Sequence, residues 1–134
     1  MILAKKRNRI VAFIADFTIY FIIFIIFGVF YGVKNDNGDG FVVNGFPAFI
    51  LFLISLFLWP VSESFSGQTI GKRLVGLKVV DESHKEIKTR QAFIRFIFGY
   101  IDLCFFLVGL IVASTNNKKQ RIGDLVAKTV VIEL

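Results

Sequence analysis

Arg9-Ile-Val-Ala-Phe-Ile-Ala-Asp16-Phe-Thr-Ile-Tyr-Phe-Ile-Ile-Phe-Ile-Ile-Phe-Gly-Val-Phe-Tyr-Gly-Val33 decides how this chain folds. Between Arg9 and Lys34 its only charge is Asp16. A run of this length and apolarity predicts a helix from Ile10 to about Val33, enough to cross a hydrocarbon layer about 30 Å thick. A carboxylate in such a helix costs about 2.5–3.5 kcal/mol at the bilayer centre, so it calls for a partner or a task. The spacing of Arg9 and Asp16 is nearly two helical turns, which puts both on one face, about 10 Å apart along the axis. Tyr20 shares that face and could donate a hydrogen bond to the carboxylate.

The same spacing returns in Arg95-Phe-Ile-Phe-Gly-Tyr-Ile-Asp102. Two apolar segments each carry an Arg, six residues and then an Asp. If both helices start on the same side, Asp16 and Asp102 lie at similar depth and could share a cation or a proton. Arg9, Arg95, Asp16, Asp102 and Tyr20 are therefore the candidate ion or proton site. The alternative is structural: the Arg side chains reach the headgroups and each Asp bonds across helices.

Composition agrees with a membrane location. The 134 residues make a single domain, 55% are hydrophobic, and 17 are Phe. Mean hydropathy is +0.70, above that of an ordinary soluble domain. The net charge of +6 should gather on the cytoplasmic side of a membrane. Nucleic-acid binding is a poor explanation, because the basic residues flank apolar segments without an aromatic-basic motif. Cys104 stands alone in an apolar run and reads as packing. His84 has no second His or Cys at ligand spacing, so neither a metal nor another cofactor is implied. No catalytic set is visible, and the chain does not read as an enzyme.

Lys5, Lys6, Arg7 and Arg9 precede the first helix with no acid among them, which marks a cytoplasmic amino terminus and an inner (plasma) membrane protein. The first helix is too long for the apolar core of a cleaved signal, and reads as a retained anchor. Lys34 to Gly40 forms a polar outer turn. Asn35, Asn37, Asp39 and Gly40 stand at calcium-loop offsets, but Phe46 takes the place of the bidentate Glu, so the turn reading prevails. A second helix is expected over about 47–64, with Pro47 in its first turn and Trp59 at an interface. Pro60 should kink or end it. Glu63 lies near its cytoplasmic end and could support the polar cluster.

Residues 66–91 form a loop with six basic residues between Lys72 and Arg90, suited to contact with anionic lipid. Leu77–Val80 reads as a strand, turned by Asp81–Lys85 into a second at Glu86–Lys88. Thr89 is a candidate N-cap for the next helix. Residues 92–115 are a third apolar segment. As one helix it would put the basic tail, 116–134, outside. As a folded-back pair with Gly99 or Gly109 near the bend, it would return the tail inside and leave Lys34 as the outer basic residue. The strand-like Lys128–Leu134 could then pair with Leu77–Val80. The charge distribution favours the inside tail. The expected fold is an all-α transmembrane helix bundle, with two full spans, the third segment either spanning or re-entrant, and a small cytoplasmic β element.

Taken together, these motifs resemble the RDD family of membrane proteins, named for one Arg and two Asp. Arg9 and Asp16 match the pattern in the first helix. Gly67-Gln-Thr-Ile-Gly-Lys-Arg-Leu-Val-Gly-Leu-Lys-Val-Val80 looks like the family's linker. The Arg121-x-Gly-Asp-Leu-x-Ala-x-Thr-Val-Val run resembles its closing motif, making Asp124 the second family Asp and adding Arg121 and Asp124 to the supporting residues. The resemblance implies an integral membrane protein, and a cation/proton antiport role has been proposed for some members. From size, the first expectation is a scaffold or accessory component, a homo-oligomer or bound to a membrane-protein partner. The alternative is a cation/proton antiporter or channel component using Asp16 and Asp102.

Overall fold

The computed structural model describes residues 2–104 and 106–134, and their side chains except those of 102–104 and 106–110. Its elements are β1 (Ile2–Leu3), α1 (Lys6–Tyr31), β2 (Val33–Lys34), β3 (Phe41–Val42), α2 (Gly45–Leu56), a π-helical turn (Phe57–Val61) and α3 (Ser62–Ser66). They continue through α4 (Ile70–Leu74), β4 (Leu77–Asp81), α5 (Thr89–Cys104), α6 (Phe106–Thr115), α7 (Ile122–Ala127) and β5 (Thr129–Glu133).

α1 starts earlier than the apolar run because Lys6–Arg9 extend it toward the polar end. Lys6–Tyr31 and Gly45–Ser66 are both long and apolar enough to cross a membrane. A hairpin of β2 and β3 joins them, with Val33 opposite Val42 and Lys34 opposite Phe41. Its turn is polar, as expected, and relies on Gly38 (φ 84°) and Gly40 (φ 86°), a region costly for other residues. The Phe41 ring lies over Gly28, where a Cβ would collide with it.

Pro60 does not end the second helix. It sits fully buried in a π-turn, and the helical rod continues to Ser66, where Gly67 (φ 68°) closes it with an N–H bond of 2.7 Å to the Glu63 carbonyl. The missing proline N–H and the ring's bulk toward the preceding turn are absorbed by the wider turn. An extra residue in one turn rotates everything after it by about 100°, and so helps set the direction in which Glu63 points.

The three-stranded sheet has the order β1-β5-β4, all antiparallel. The expected pairing of the carboxyl-terminal run with Leu77–Val80 is present, with Val79 opposite Val131. The expected second strand at Glu86–Lys88 reduces to a single bridge from Val80 to Glu86. The turn before it forms, with an Asp81 N–H bond of 2.9 Å to the Lys85 carbonyl and His84 at φ 62°. α5 then begins at Thr89, leaving too few residues for a strand. Gln91 rather than Thr89 serves the helix start, its Oε1 accepting from the Lys88 N–H at 2.8 Å.

β5 is central and apolar on both faces. On one face Leu77, Val79 and Val131 pack with Ala4, Ala12, Ile87 and Ala92; on the other, Val80, Val130 and Ile132 cluster over Leu3. α5 therefore leaves from the sheet at Ala92. The end of α6 also returns to it: Gln120 donates to the Thr129 carbonyl at 2.7 Å, and Asn116 bonds the Gln120 carbonyl at 2.7 Å. The third apolar segment folds back, with neither expected glycine at the junction. α5 runs unbroken through Gly99 and α6 through Gly109. Both chain ends, the linker and the third segment's two ends meet at one pole.

Val131 is 3% exposed in the central strand. Val131→Asp would bury an unpaired carboxylate there and should detach β5. Hydrogen exchange would then speed up in both β4 and β5 amides. Unchanged protection of β4 would contradict the sheet's role in holding the tail.

A ring of polar contacts at the sheet pole

Asp124 stands in the first turn of α7 and is 2% exposed. One of its oxygens accepts from Arg95 Nη1 of α5, the other from Arg9 Nη2 of α1 and, at 3.1 Å, from the Arg121 backbone N–H. Arg9 Nη1 also donates to the Lys119 carbonyl at 2.5 Å, and Arg95 Nη1 to Thr129 Oγ1 at 2.8 Å. Burial alone would raise the Asp124 carboxyl. The positive charges of Arg95, Arg9 and Arg121 outweigh it and hold the group far below the usual carboxylate range.

Arg95 reaches a second acid. Its Nε donates to Glu63 Oε2 at 3.1 Å, and the other Glu63 oxygen takes Lys72 Nζ of α4. Burial pulls the Lys72 ammonium below its ordinary value, with the Glu63 charge working against that shift. α4 returns to α1 through Asp16, 6% exposed. Asp16 accepts from Thr69 Oγ1 at 2.5 Å and from the Gly71 backbone N–H at 2.7 Å. Thr69 also N-caps α4, its hydroxyl oxygen accepting from the Lys72 N–H at 3.3 Å. The contacts close into a ring: α1 to α7 through Arg9, α7 to α5 through Asp124, α5 to α3 through Arg95, α3 to α4 through Glu63, and α4 to α1 through Asp16.

Close backbone approach makes the ring possible. A Cβ on Gly71 would overlap the Ala12 carbonyl oxygen and stand 2.9 Å from Asp16 Cγ; one on Gly123 would lie 3.2 Å from the Arg95 carbonyl. Glycine is needed at position 71 so that its amide can reach the carboxylate.

This arrangement redistributes the residues expected to form a site. Arg9 and Asp16 share a helix but do not pair: Arg9 turns to Asp124, and Asp16 to α4. Asp16 is buried within the protein. Tyr20 rests its ring against Trp59 at 5.5 Å between centroids, while the donors to Asp16 among the described residues are Thr69 and Gly71. Arg95 joins Glu63 and Asp124. The side chains of Asp102 and Cys104 lie outside the described residues. Glu63, Asp124 and Arg121, expected in support, stand at or beside the centre. Sequence reading missed Lys72, Thr69, Gly71 and Thr129 as ring members. The Thr-x-Gly-Lys order was a usable signal, since Thr before a short helix is an N-cap pattern.

A model of the RDD family matches residues 3–128. The chain belongs to the RDD family. No curated protein and no solved structure matches it. Family membership and the two apolar helices make this a small membrane protein. The Arg and two Asp through which the chain resembles the family now have geometric roles: Arg9 meets Asp124, and Asp16 fastens α4 to the same helix.

Beside the ring, a cavity of about 310 Å³ opens between α1, the α2–α3 rod and α5. Asp16, Glu63, Lys72 and Arg95 line its polar floor, and Phe13, Tyr20, Trp59 and Tyr100 are among its aromatic walls.

Removing one partner of a buried ion pair typically costs about 3–5 kcal/mol. Asp124→Asn should therefore lower detergent-solubilised stability by that order, seen as a drop in the thermal midpoint. Because folding depresses the Asp124 pKa, its contribution is complete above the unfolded value of about 3.9 and is lost as pH falls from there toward the folded value. Wild type should lose stability across that acidic range, and Asp124→Asn should show a flatter profile. Gly71→Val should destabilise strongly with no change of charge; a wild-type midpoint would refute the close α4–α1 contact.

Proposed function

We propose that this RDD protein is a non-enzymatic scaffold or accessory component of the plasma membrane, with its sheet pole in the cytoplasm. The observation that carries this reading is the closed ring. Its charged members are spent on joining five helices of the chain, as a constitutive frame requires. The clustering of basic residues near this pole, against Lys34 at the hairpin end, supports a cytoplasmic pole. The return of the third segment to the sheet supports a re-entrant α5–α6 pair. At 10 residues, α6 would reach about 15 Å, half the hydrocarbon thickness. The apolar faces of α1 and α2 are then available to lipid, to a second copy or to a membrane partner. The basic linker is available to anionic lipid.

One observation favours the second reading, a cation/proton exchanger. Asp16 lines an open cavity and is held by uncharged donors, so its charge is not committed to a neighbouring cation in direct contact.

Asp16→Asn separates the two. As a scaffold, the protein should give no ion-driven pH change in vesicles as wild type. The variant should reduce its amount or its association with other membrane proteins, by losing one carboxylate acceptor worth about 1–3 kcal/mol. Ion-driven pH change by wild-type vesicles, abolished in Asp16→Asn at equal protein amount, would overturn the scaffold reading.

A further inference from the structure

α4 and α7 are built inside out for helices in water. An amphipathic helix of a water-soluble domain turns apolar residues inward and charge outward. Here the inner positions carry Gly71 and Gly123 together with the ring's Lys72 and Asp124. The outer positions carry Ile70 and Leu74 on α4, and Leu125 and Val126 on α7. Leu74 is 72% exposed, Leu125 43% and Val126 48%, and Phe65 at the end of the rod is 85% exposed.

The two helices stand at a common level. Gly71 lies against Ala12, three residues past Arg9, and Gly123 lies against Phe98, three residues past Arg95. Arg9 and Arg95 meet at Asp124, so the two levels lie within the reach of one arginine side chain. β4 and β5 are antiparallel, with Leu77 opposite Glu133 and Asp81 opposite Thr129. α4 therefore enters this strand pair at one end and α7 at the other. Their level falls within the apolar run that opens at Ile10, where Val11 and Ile14 of α1 and Ile97 of α5 also face outward. A partner protein or a second copy would cover one end of the pair; lipid surrounds both. Arg73 on α4 and Lys128 directly after α7 are exposed, with stems long enough to reach headgroups from there.

We infer that α4 and α7 are seated in lipid, in the leaflet on the sheet side, at the boundary between headgroups and acyl chains. The polar ring then lies beneath the headgroups. This goes beyond the scaffold reading, and its failure would leave that reading standing, because two spans can hold the protein in a membrane with α4 and α7 in water.

Nitroxide labels test the seat in the full chain, reconstituted into vesicles of phosphatidylcholine and phosphatidylglycerol. In a background with the lone Cys104 replaced by Ser, Leu74→Cys and Leu125→Cys are labelled singly. Val29→Cys on α1 is the lipid reference, and Glu86→Cys beside the sheet is the water reference. Relaxation of each label is measured with oxygen, which concentrates in hydrocarbon, and with a neutral nickel chelate, which stays in water. Labels at 74 and 125 should respond severalfold more strongly to oxygen than to nickel, at a depth of about 5–10 Å. Glu86→Cys should show the reverse order. Ile70→Cys and Val126→Cys repeat the measurement wherever a first label lowers the thermal midpoint. A dominant nickel response on either helix would put that helix in water and overturn the inference. Weak response to both reagents, or dipolar broadening between copies, would overturn it as well, by assigning the face to a protein partner or to a second copy.

Discussion

The contact on which the rest depends is the Asp124 carboxylate held between Arg9 and Arg95. A buried carboxylate without partners is among the most costly features a fold can carry, and one with two guanidiniums and a backbone N–H is fully satisfied. This single residue ties the start of α1, the start of α5 and the closing helix α7. Arg95 in turn can face Asp124 only if its other side meets an acid, which Glu63 supplies. The geometry of four helices follows from satisfying two side chains.

Buried ion pairs do not by themselves make a fold more stable than well-packed apolar residues would. Their value here is in specificity. In a membrane, apolar helices have little hydrophobic reason to choose one neighbour over another, because lipid is as apolar as they are. A ring of polar contacts at one end selects a single arrangement of interchangeable Phe- and Ile-rich rods. The sheet does the same outside the apolar region, where β5 pairs with the amino-terminal strand and with the linker.

The ring also explains features that look unrelated in isolation. Gly71 must lack a side chain for α4 to reach Asp16. Pro60 widens the turn that runs directly into α3, and Glu63 follows on the side facing α5. The Thr69 hydroxyl works twice, giving its proton to Asp16 and its lone pair to the α4 amide. Where α1 and α5 diverge around the rod, a cavity remains that has the ring as its floor.

The sequence alone settled what depends on local pattern. Apolar length determined the two long helices, the glycine-rich polar stretch the outer turn, and the short runs of Val and Ile the two strands that pair. The ordered motifs were enough to point to the family. The sequence also showed that Arg9, Arg95 and Asp16 were out of place in apolar helices and needed partners. Only the tertiary structure decided which. Helical spacing suggested Arg9 with Asp16, because residues seven apart share a face. At about 10 Å along the axis, however, that spacing exceeds direct contact, and acceptors from distant segments stood nearer. Pro60 was expected to kink or end the helix, and the choice was likewise not local: whether proline ends a helix or widens it depends on what packs around it, and here the helix continues through a widened turn. The pairing of Arg9 with Asp124 spans nearly the whole chain, and no local rule reaches that far.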